Sequence, residues 1–459
     1  MVFRLTGDDT QIYLTKDTSF YFIKGPNLPQ HYSGERRQYR RELRLSVPSC
    51  ISLLYWIGSI VIGSVIIFWG KYHCFNDRAA HWARILQLRS GEIIPSFSKE
   101  YPEWIVYSEH GKIITFNNTA VNSPFVYFPS LIFRGDFRIS SIATLICSAS
   151  LIAVAIRIAG CYANIILAIA VLPTTFFGMI FPTADAITNS FSLLFIAVVL
   201  CLYQRDGALH FRHIVLLCVL SIMLGQVKIT CSIIVLFVFF LLPKTTDKKM
   251  KVSLSLPVLC AFTSMWLWRM KTSHIAVAPN RVSLQETHDF EMQLMLSPWK
   301  IFSLLGRVLF EPLDFDYEKI DGQLVNPRRN LQFFTGTETV QLPLIVMAPV
   351  LIAIMMLLIV HTSYKRMCGY QIAIVLAIPV LYFVLSCVAM AVTWSGTVDG
   401  CVSGMQSRYL IPVLPLFALL FPGLIGFENV NLKKYRMSVF LLILFSYIGI
   451  LISYLVQWN

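Results

Sequence analysis

Charged residues are scarce in this sequence. Of its 459 residues only 14% are Asp, Glu, Lys or Arg, whereas 56% are hydrophobic; ordinary soluble domains have roughly 25% and 45–50%. The mean hydropathy is +0.65. This composition excludes a soluble globular enzyme, a disordered chain and a disulfide scaffold, and the apolar runs are too long for the strands of an outer-membrane barrel. It predicts an all-α fold, a polytopic bundle of transmembrane helices.

Several short motifs are also missing. The sequence has no CxxC pair, no HxxxH spacing, no P-loop, no GxSxG and no dinucleotide fingerprint, so we expect no metal site and no cofactor. Charged residues are absent from most apolar runs, which argues against a proton-coupled transporter.

Most of the eleven cysteines lie in or at the ends of apolar runs, where a thiol packs as a small hydrophobic group. Cys368 falls in a predicted cytoplasmic loop, and only Cys74 and Cys401 fall in predicted outer loops. A disulfide between these two is one alternative, but unpaired thiols are favoured.

The net charge of +13 comes from short basic clusters that flank the apolar runs. Such alternation is the positive-inside pattern of a multi-pass protein, so we expect no nucleic-acid partner. It predicts that the basic N-terminal segment 1–47 is cytoplasmic, that residues 48–459 form the transmembrane module and that the C-terminus lies outside. The clusters are Glu35–Arg44, Arg205 with Arg212, Lys244–Lys251, Lys365 with Arg366, and Lys433–Arg436.

Windows of about 20 apolar residues, the length that spans a bilayer, predict about eleven transmembrane helices. Two runs, 213–227 and 229–243, are short and form either two crossings or a broken pair. Two polar stretches, about 70–138 and 269–341, are predicted to lie outside. The eleven runs are 48–69, 139–159, 162–181, 184–203, 213–227, 229–243, 252–268, 342–361, 370–393, 409–426 and 437–457.

Each outer stretch contains an amphipathic segment typical of a helix lying in the membrane interface. In Asp77–Ser90, apolar Ala80, Ala83, Ile85 and Leu86 share a face, and the arginines Arg78, Arg84 and Arg89 lie elsewhere. In the second stretch, residues 297–312 are amphipathic. An acidic patch follows them, formed by Asp314, Asp316, Glu318 and Asp321.

Four ionisable residues near the ends of apolar runs are candidates for function, because charge at membrane depth is costly. They are Asp77, Asp185, Lys228 and Arg408. Each also has a structural alternative: helix capping for Asp77 and Asp185, snorkelling or capping for Lys228, and interface anchoring for Arg408. His81 shares a helical face with Asp77 and is better explained as a satisfied polar contact than as an acid or base.

The functional interpretation joins these four residues, with three predicted at the outer surface and Lys228 deeper in the same half. Arginine and lysine suit a phosphate, and a carboxylate suits deprotonation of a hydroxyl. Sugar transfer from a lipid-phosphate donor requires a membrane cavity that contains both a cationic phosphate-binding group and an accessible carboxylate.

Four segments resemble one family, a bacterial multi-pass family described only as a predicted membrane protein of unknown function. The family's PDExxH and AxxLxxGxxP pattern is similar to NDRAAH (76–81) and the following RILQLRSGEIIP (84–95). A second family segment resembles NSPFVYFPS (122–130). TADAITNSFSLL (183–194) and SGMQSRYLIPVLP (403–415) resemble two more. The similarity extends from about residue 50 to 425, and the family is placed by fold among the GT-C polyprenyl-phosphosugar glycosyltransferases.

The resemblance implies a GT-C fold with Asp77 as the catalytic base and Lys228 and Arg408 as donor-phosphate ligands. Asp185, His81, Tyr127, Gln406 and Tyr409 would line the cavity. Two departures are Arg78, where the family has a second acid, and Ser407, where it has glycine. The absent acid makes a role for paired carboxylates doubtful.

We therefore expect a glycosyltransferase of the bacterial cell membrane. It would take a sugar from a polyprenyl-phosphate donor and pass it to a glycan or lipid acceptor on the extracytoplasmic face. A flippase or exporter of lipid-linked glycan, or a polymerase of such glycans, is the alternative.

Overall fold

The structure is a computed structural model, and most of its chain is helical. It describes residues 2–4, 10–14, 20–24, 47–70, 77–109, 111–310, 318–320, 323–325, 342–360, 367–396, 402, 405–421 and 432–458. The α-helices are α1 Val47–Trp69, α2 Arg78–Arg89, α3 Asn117–Ala120, α4 Phe128–Ile132, α5 Phe137–Ile158, α6 Ala163–Ala170, α7 Pro173–Ile180, α8 Ala184–Gln204, α9 Phe211–Gly225, α10 Lys248–Ser253, α11 Ser255–Thr272, α12 Leu284–Leu296, α13 Lys300–Phe310, α14 Leu344–Ile359, α15 Gly369–Met390, α16 Leu414–Ala418 and α17 Leu432–Trp458.

Tighter helical turns connect some of these helices, and a few short strands pair with one another. The 3₁₀ segments are Pro124–Tyr127, Gly160–Tyr162, Ile229–Lys244 and Ser407–Val413, and a π-turn covers Ala391–Ser395. The strands form three antiparallel sheets: β1 Val2–Arg4, β2 Thr10–Leu14 and β3 Phe20–Lys24; β4 Val106–Glu109 and β5 Lys112–Thr115; β6 Glu318–Ile320 and β7 Gln323–Val325.

Within the described residues, six helices are long and apolar enough to cross a membrane. The chain is therefore an all-α, multi-pass membrane protein. The six spans are Cys50–Trp69, Phe137–Ile158, Ala184–Gln204, Lys248–Thr272, Gly369–Ser395 and Lys434–Val456. Four shorter apolar helices accompany them, at Phe211–Gly225, Ile229–Lys244, Leu344–Ile359 and Arg408–Ala418. The count of eleven crossings stays a prediction.

The run expected as one span over 162–181 is bent. Gly160–Ala170 and Pro173–Ile180 meet at 77°, and Leu172 between them has an extended ψ of 132°. Proline has no backbone N–H and its ring disfavours helical geometry in the preceding residue. Pro173 therefore ends one helix and begins the next, although hydropathy alone does not register the bend.

The run over 229–243 is a 3₁₀ helix of 16 residues, Ile229–Lys244, which is much longer than usual. Its rise of about 2.0 Å per residue gives a length of about 32 Å, compared with about 24 Å for an α-helix. The hydrocarbon core is about 30 Å thick. The stretched geometry thus makes this short run long enough for a crossing.

The centre of the bundle consists of α8 and the 3₁₀ helix Ile229–Lys244. The apolar window of α8 is 83% buried, and this helix packs against α5, while the 3₁₀ helix packs against α8 and α15. Helix α9 lies close to α11 because Gly225 has no side chain: a Cβ there would stand 2.4 Å from the carbonyl oxygen of Ala261. Lipid-facing helices approach closely at such small residues.

The two polar stretches that were expected outside pack against each other at one end of the bundle. The amide of Asn117 accepts a hydrogen bond from Ile105 N (2.8 Å) and donates to the carbonyl oxygens of Glu103 (2.9 Å) and Ala276 (3.1 Å). Trp268 Nε1 donates to the carbonyl oxygen of Val121 at 2.7 Å. The bond from Asn117 to Ala276 joins the two stretches into one cap, and the bond from Trp268 attaches the first stretch to α11.

Helix α2 contains a buried arginine. Arg84 lies off the apolar face of the amphipathic pattern, and its side chain is fully buried. Its guanidinium donates to Gln87 Oε1 (2.6 Å) and to the carbonyl oxygens of Ile93 (3.0 Å) and Asn122 (3.1 Å). These oxygens replace water around the buried cation.

Other expectations fall partly outside the described residues. The amphipathic segment after residue 296 forms α13, while most of the acidic patch, like Cys74 and Cys401, lies outside them. The nine described cysteines form no disulfide with one another.

Candidate functional site

The four candidate residues come from four separate elements that end at the same cavity. Asp77 precedes α2, Asp185 is in the first turn of α8, Lys228 precedes the 3₁₀ helix Ile229–Lys244, and Arg408 is in the 3₁₀ helix Ser407–Val413. All four line one cavity of about 980 Å³. The chain thus brings together four charged side chains spread over more than 330 positions.

Asp77 occupies the N-cap position of α2, but its side chain makes no capping hydrogen bond. Its φ of 56° lies in the left-handed region, and no other non-glycine residue in the described ranges has a positive φ. Such backbone strain costs roughly 1–3 kcal/mol and tends to occur at functional sites. The carboxylate is directed to Arg408, with Oδ2 at 3.5 Å from Nη2, so capping does not explain this residue.

Asp185 and Lys228 form an ion pair through Oδ1 and Nζ. Thr183, and not Asp185, holds the N-cap position of α8, so the capping alternative for Asp185 does not hold either. The side chains of Asp185 and Lys228 are 14% and 26% exposed. Lys228 Nζ also lies 4.7 Å from the centre of the Tyr409 ring, an attractive cation–π contact.

Arg408 connects the two carboxylates. Its Nε lies 3.6 Å from Asp185 Oδ2 and its Nη2 lies 3.5 Å from Asp77 Oδ2. Charge-assisted hydrogen bonds are typically 2.7–2.9 Å long, so these ion pairs are loose. The side chain is 19% exposed, which is too deep for a simple surface anchor.

His81 makes the satisfied polar contact that was expected. Its Nδ1 lies 2.6 Å from the hydroxyl of Tyr127. Burial lowers the pKa of His81 from 6.5 to about 4, against the opposing attraction of Asp77 and Asp185; the imidazole is therefore neutral at pH 7. Tyr127, expected on the cavity wall, lies behind His81, where burial raises the pKa of its hydroxyl.

The remaining expected residues, Gln406 and Tyr409, line the cavity. Tyr409 is also held by its backbone, because its carbonyl oxygen accepts a hydrogen bond from the Tyr382 hydroxyl at 2.8 Å. Gln226 fixes the turn before Lys228: it accepts from Ser123 Oγ and donates to the Ser264 carbonyl and hydroxyl, each at 2.8 Å.

A second wall of the cavity was not predicted. Arg281 stacks on Trp394, with 4.6 Å from the guanidinium carbon to the ring centre. Arg269 lies 4.0 Å from Glu291. These residues lie at helix ends and in the second polar stretch, where charged and aromatic side chains are common, so their positions in the sequence did not distinguish them.

The site combines two cations and two carboxylates whose formal charges cancel. Asp77 is the most exposed of the four, at 45%, and so is the most accessible proton acceptor. Lys228 and Arg408 both lie within reach of the Asp185 carboxylate, which places two positive charges on one side of it. Among the described residues, no group of three or more His, Cys, Asp or Glu side chains could hold a metal ion.

The fold and the cavity define a multi-pass helical membrane protein with a charged pocket at one end of its bundle. The family model of Predicted membrane protein (DUF2142) matches residues 106–417, and the chain belongs to this family. The match includes Asp185, Lys228 and Arg408 and begins after Asp77 and His81. No curated protein and no solved structure matches the chain.

Proposed function

We propose that this protein is a membrane glycosyltransferase with a GT-C-like fold. It moves one sugar from a polyprenyl-phosphate donor to a glycan or lipid acceptor on the extracytoplasmic face of a bacterial cell membrane. The observation that carries the proposal is the convergence of Asp77, Asp185, Lys228 and Arg408 on one cavity. Two cations beside an accessible carboxylate, at the end of membrane-embedded helices, suit a lipid phosphate and a hydroxyl together.

In this proposal the reaction is a single displacement. The acceptor hydroxyl oxygen forms a bond to the anomeric carbon, and Asp77 takes the hydroxyl proton. The bond between that carbon and the phosphate oxygen breaks, and the electron pair leaves with the phosphate. Arg408 and Lys228 stabilise the charge on the leaving phosphate. One displacement without a covalent intermediate inverts the anomeric configuration.

The loose ion pairs support such a role. At 3.5 and 3.6 Å, Arg408 is held less tightly than in a short bidentate pair, so a phosphate can replace its carboxylate partners at moderate cost. Asp185, which pairs with both cations, keeps them in place while the site is empty.

The location of the cavity favours transfer over transport. Its charged residues lie at the ends of helices and beside the two polar stretches, whereas transporters carry their sites near the middle of the membrane. With the basic clusters in the cytoplasm, about eleven crossings put this end of the bundle outside, and the 3₁₀ helix Ile229–Lys244 is long enough to be one of them.

The experiment uses the purified full chain in detergent with polyprenyl-phosphate sugars. We expect Asp77→Asn and Arg408→Ala each to reduce turnover by roughly 10²–10⁴-fold, the usual effect of removing a positioned base or charge-stabilising group. Matched controls are Asp289→Asn and Arg212→Ala, two exposed residues away from the cavity. Turnover within about tenfold of wild type in both site variants would show that the site is wrongly assigned.

A further inference from the structure

The side chain of His81 is held by a short chain of buried groups. Its Nδ1 lies 2.6 Å from the Tyr127 hydroxyl, which in turn accepts a hydrogen bond from Asn122 Nδ2 at 3.1 Å. The carbonyl oxygen of Asn122 is bound by the buried guanidinium of Arg84 at 3.1 Å. These hydrogen bonds connect the imidazole to the buried part of the cap that the two polar stretches form.

The direction of these hydrogen bonds determines where the His81 proton is. A tyrosine hydroxyl has a single hydrogen, and Asn122 Nδ2 is a donor that cannot accept it. Among the described residues, His81 Nδ1 is the acceptor within reach of this buried hydrogen, which favours an unprotonated Nδ1. In a neutral imidazole the proton is then on Nε2.

Among the described residues the ring makes its hydrogen bond through Nδ1, and none is formed by Nε2. The ring lines the cavity together with Asp77, Asp185, Lys228 and Arg408, and these four charged groups act on it. Since the ring is buried and its pKa is lowered to about 4, His81 offers an uncharged N–H donor within a group of full charges.

We propose that His81 binds an oxygen atom of the ligand through its Nε2–H, as a neutral hydrogen-bond donor fixed by Tyr127. The inference rests on the proposed function, since it places a phosphate oxygen of the donor or a hydroxyl oxygen of the acceptor in this cavity. A neutral donor can bind such an oxygen without competing with Arg408 for the carboxylates, which an imidazolium would do.

The first test needs no turnover. Side-chain ¹⁵N NMR of the full chain in detergent at pH 7 assigns the His81 signals by their loss in His81→Gln. We expect an Nε2–H tautomer in wild type and a mixture of both tautomers in Tyr127→Phe. A proton on Nδ1, or a doubly protonated ring, in wild type would overturn the proposal.

The second test adds polyprenyl phosphate without a sugar. A shift of the Nε2 signal assigns the bound oxygen to the donor phosphate. If the Nε2 signal does not shift, the KM for the acceptor decides. A larger acceptor KM in His81→Asn, which lacks the N–H group at this position, assigns the bound oxygen to the acceptor hydroxyl. If neither the signal nor either KM responds, ligand binding by His81 is refuted.

The third test compares two amides in the transfer assay. Glutamine places its NH₂ near the position of Nε2, whereas asparagine places it near Nδ1. We expect His81→Gln to be about tenfold more active than His81→Asn, the typical value of one hydrogen bond. Equal activity would contradict the proposal. If no transfer occurs with any variant, glycosyl transfer itself fails, but the tautomer result stands.

Discussion

Replacing Asp185 with asparagine removes one negative charge between two cations. In the folded protein Lys228 and Arg408 both contact this carboxylate, and all three side chains are at most about a quarter exposed. The asparagine side chain has nearly the same volume as aspartate and still forms hydrogen bonds, so the substitution measures the effect of the negative charge alone.

The expected cost follows from the geometry. One charge pair at 3.6 Å is worth roughly 4–5 kcal/mol at an effective dielectric constant of about 20. Breaking a buried pair costs roughly 3–5 kcal/mol, and partial exposure of these side chains reduces the cost. We expect Asp185→Asn to lose about 2–4 kcal/mol of unfolding free energy, which lowers the Tm of a chain of this length by about 2–4 °C.

The assay is thermal unfolding of the purified chain in detergent, with and without polyprenyl phosphate. A ligand that binds only the folded state raises Tm, and the two uncompensated cations should bind the phosphate more tightly. Polyprenyl phosphate should therefore raise the Tm of Asp185→Asn more than that of wild type, whereas the control Asp289→Asn should behave as wild type. If Asp185→Asn had the Tm of wild type, or responded to the lipid as wild type does, the carboxylate of Asp185 would not balance the charges of Lys228 and Arg408.

Three further predictions concern stability. Arg84→Met leaves several buried oxygens without their donor and should cost about 3 kcal/mol, measured by thermal unfolding. Gly225→Ala places a methyl group 2.4 Å from a carbonyl oxygen of α11 and should cost roughly 1–3 kcal/mol, whereas Gly58→Ala, with open space around it, should not; equal effects would contradict the close approach. Wild type should lose stability as pH falls from 6.5 towards 4, because His81 binds a proton in the unfolded chain but stays neutral when it is buried in the folded chain. In His81→Gln, thermal unfolding should show a smaller loss over this pH range.

Much of the helical framework could be predicted from hydropathy, because the described part of each apolar run is mainly helical. The bend at Pro173 and the 3₁₀ geometry of Ile229–Lys244 could not. Both depend on local backbone geometry and on packing in the bundle, and an apolar run has the same hydropathy whether it is straight, bent or stretched.

The residues of the site were recognisable because charge at membrane depth is rare and costly. This reasoning selected Asp77, Asp185, Lys228 and Arg408, which the fold brings together. It did not select Arg281 and its partner Trp394, because arginine and tryptophan at the membrane boundary are ordinary. It gave no indication that Arg84 is buried, because two of its three oxygen partners are carbonyl groups of residues outside α2.

In the proposed mechanism Lys228 and Arg408 bind a lipid phosphate, and Asp77 accepts the proton of the acceptor hydroxyl. The most direct measurement is single-turnover transfer of a labelled sugar from a polyprenyl-phosphate donor in nanodiscs, with donor binding measured on the same samples. We expect Arg408→Ala to weaken donor binding, whereas Asp77→Asn should bind the donor and transfer the sugar roughly 10²–10⁴-fold more slowly than wild type. Transfer by Asp77→Asn at the wild-type rate, with donor binding unaffected in Arg408→Ala, would contradict this mechanism.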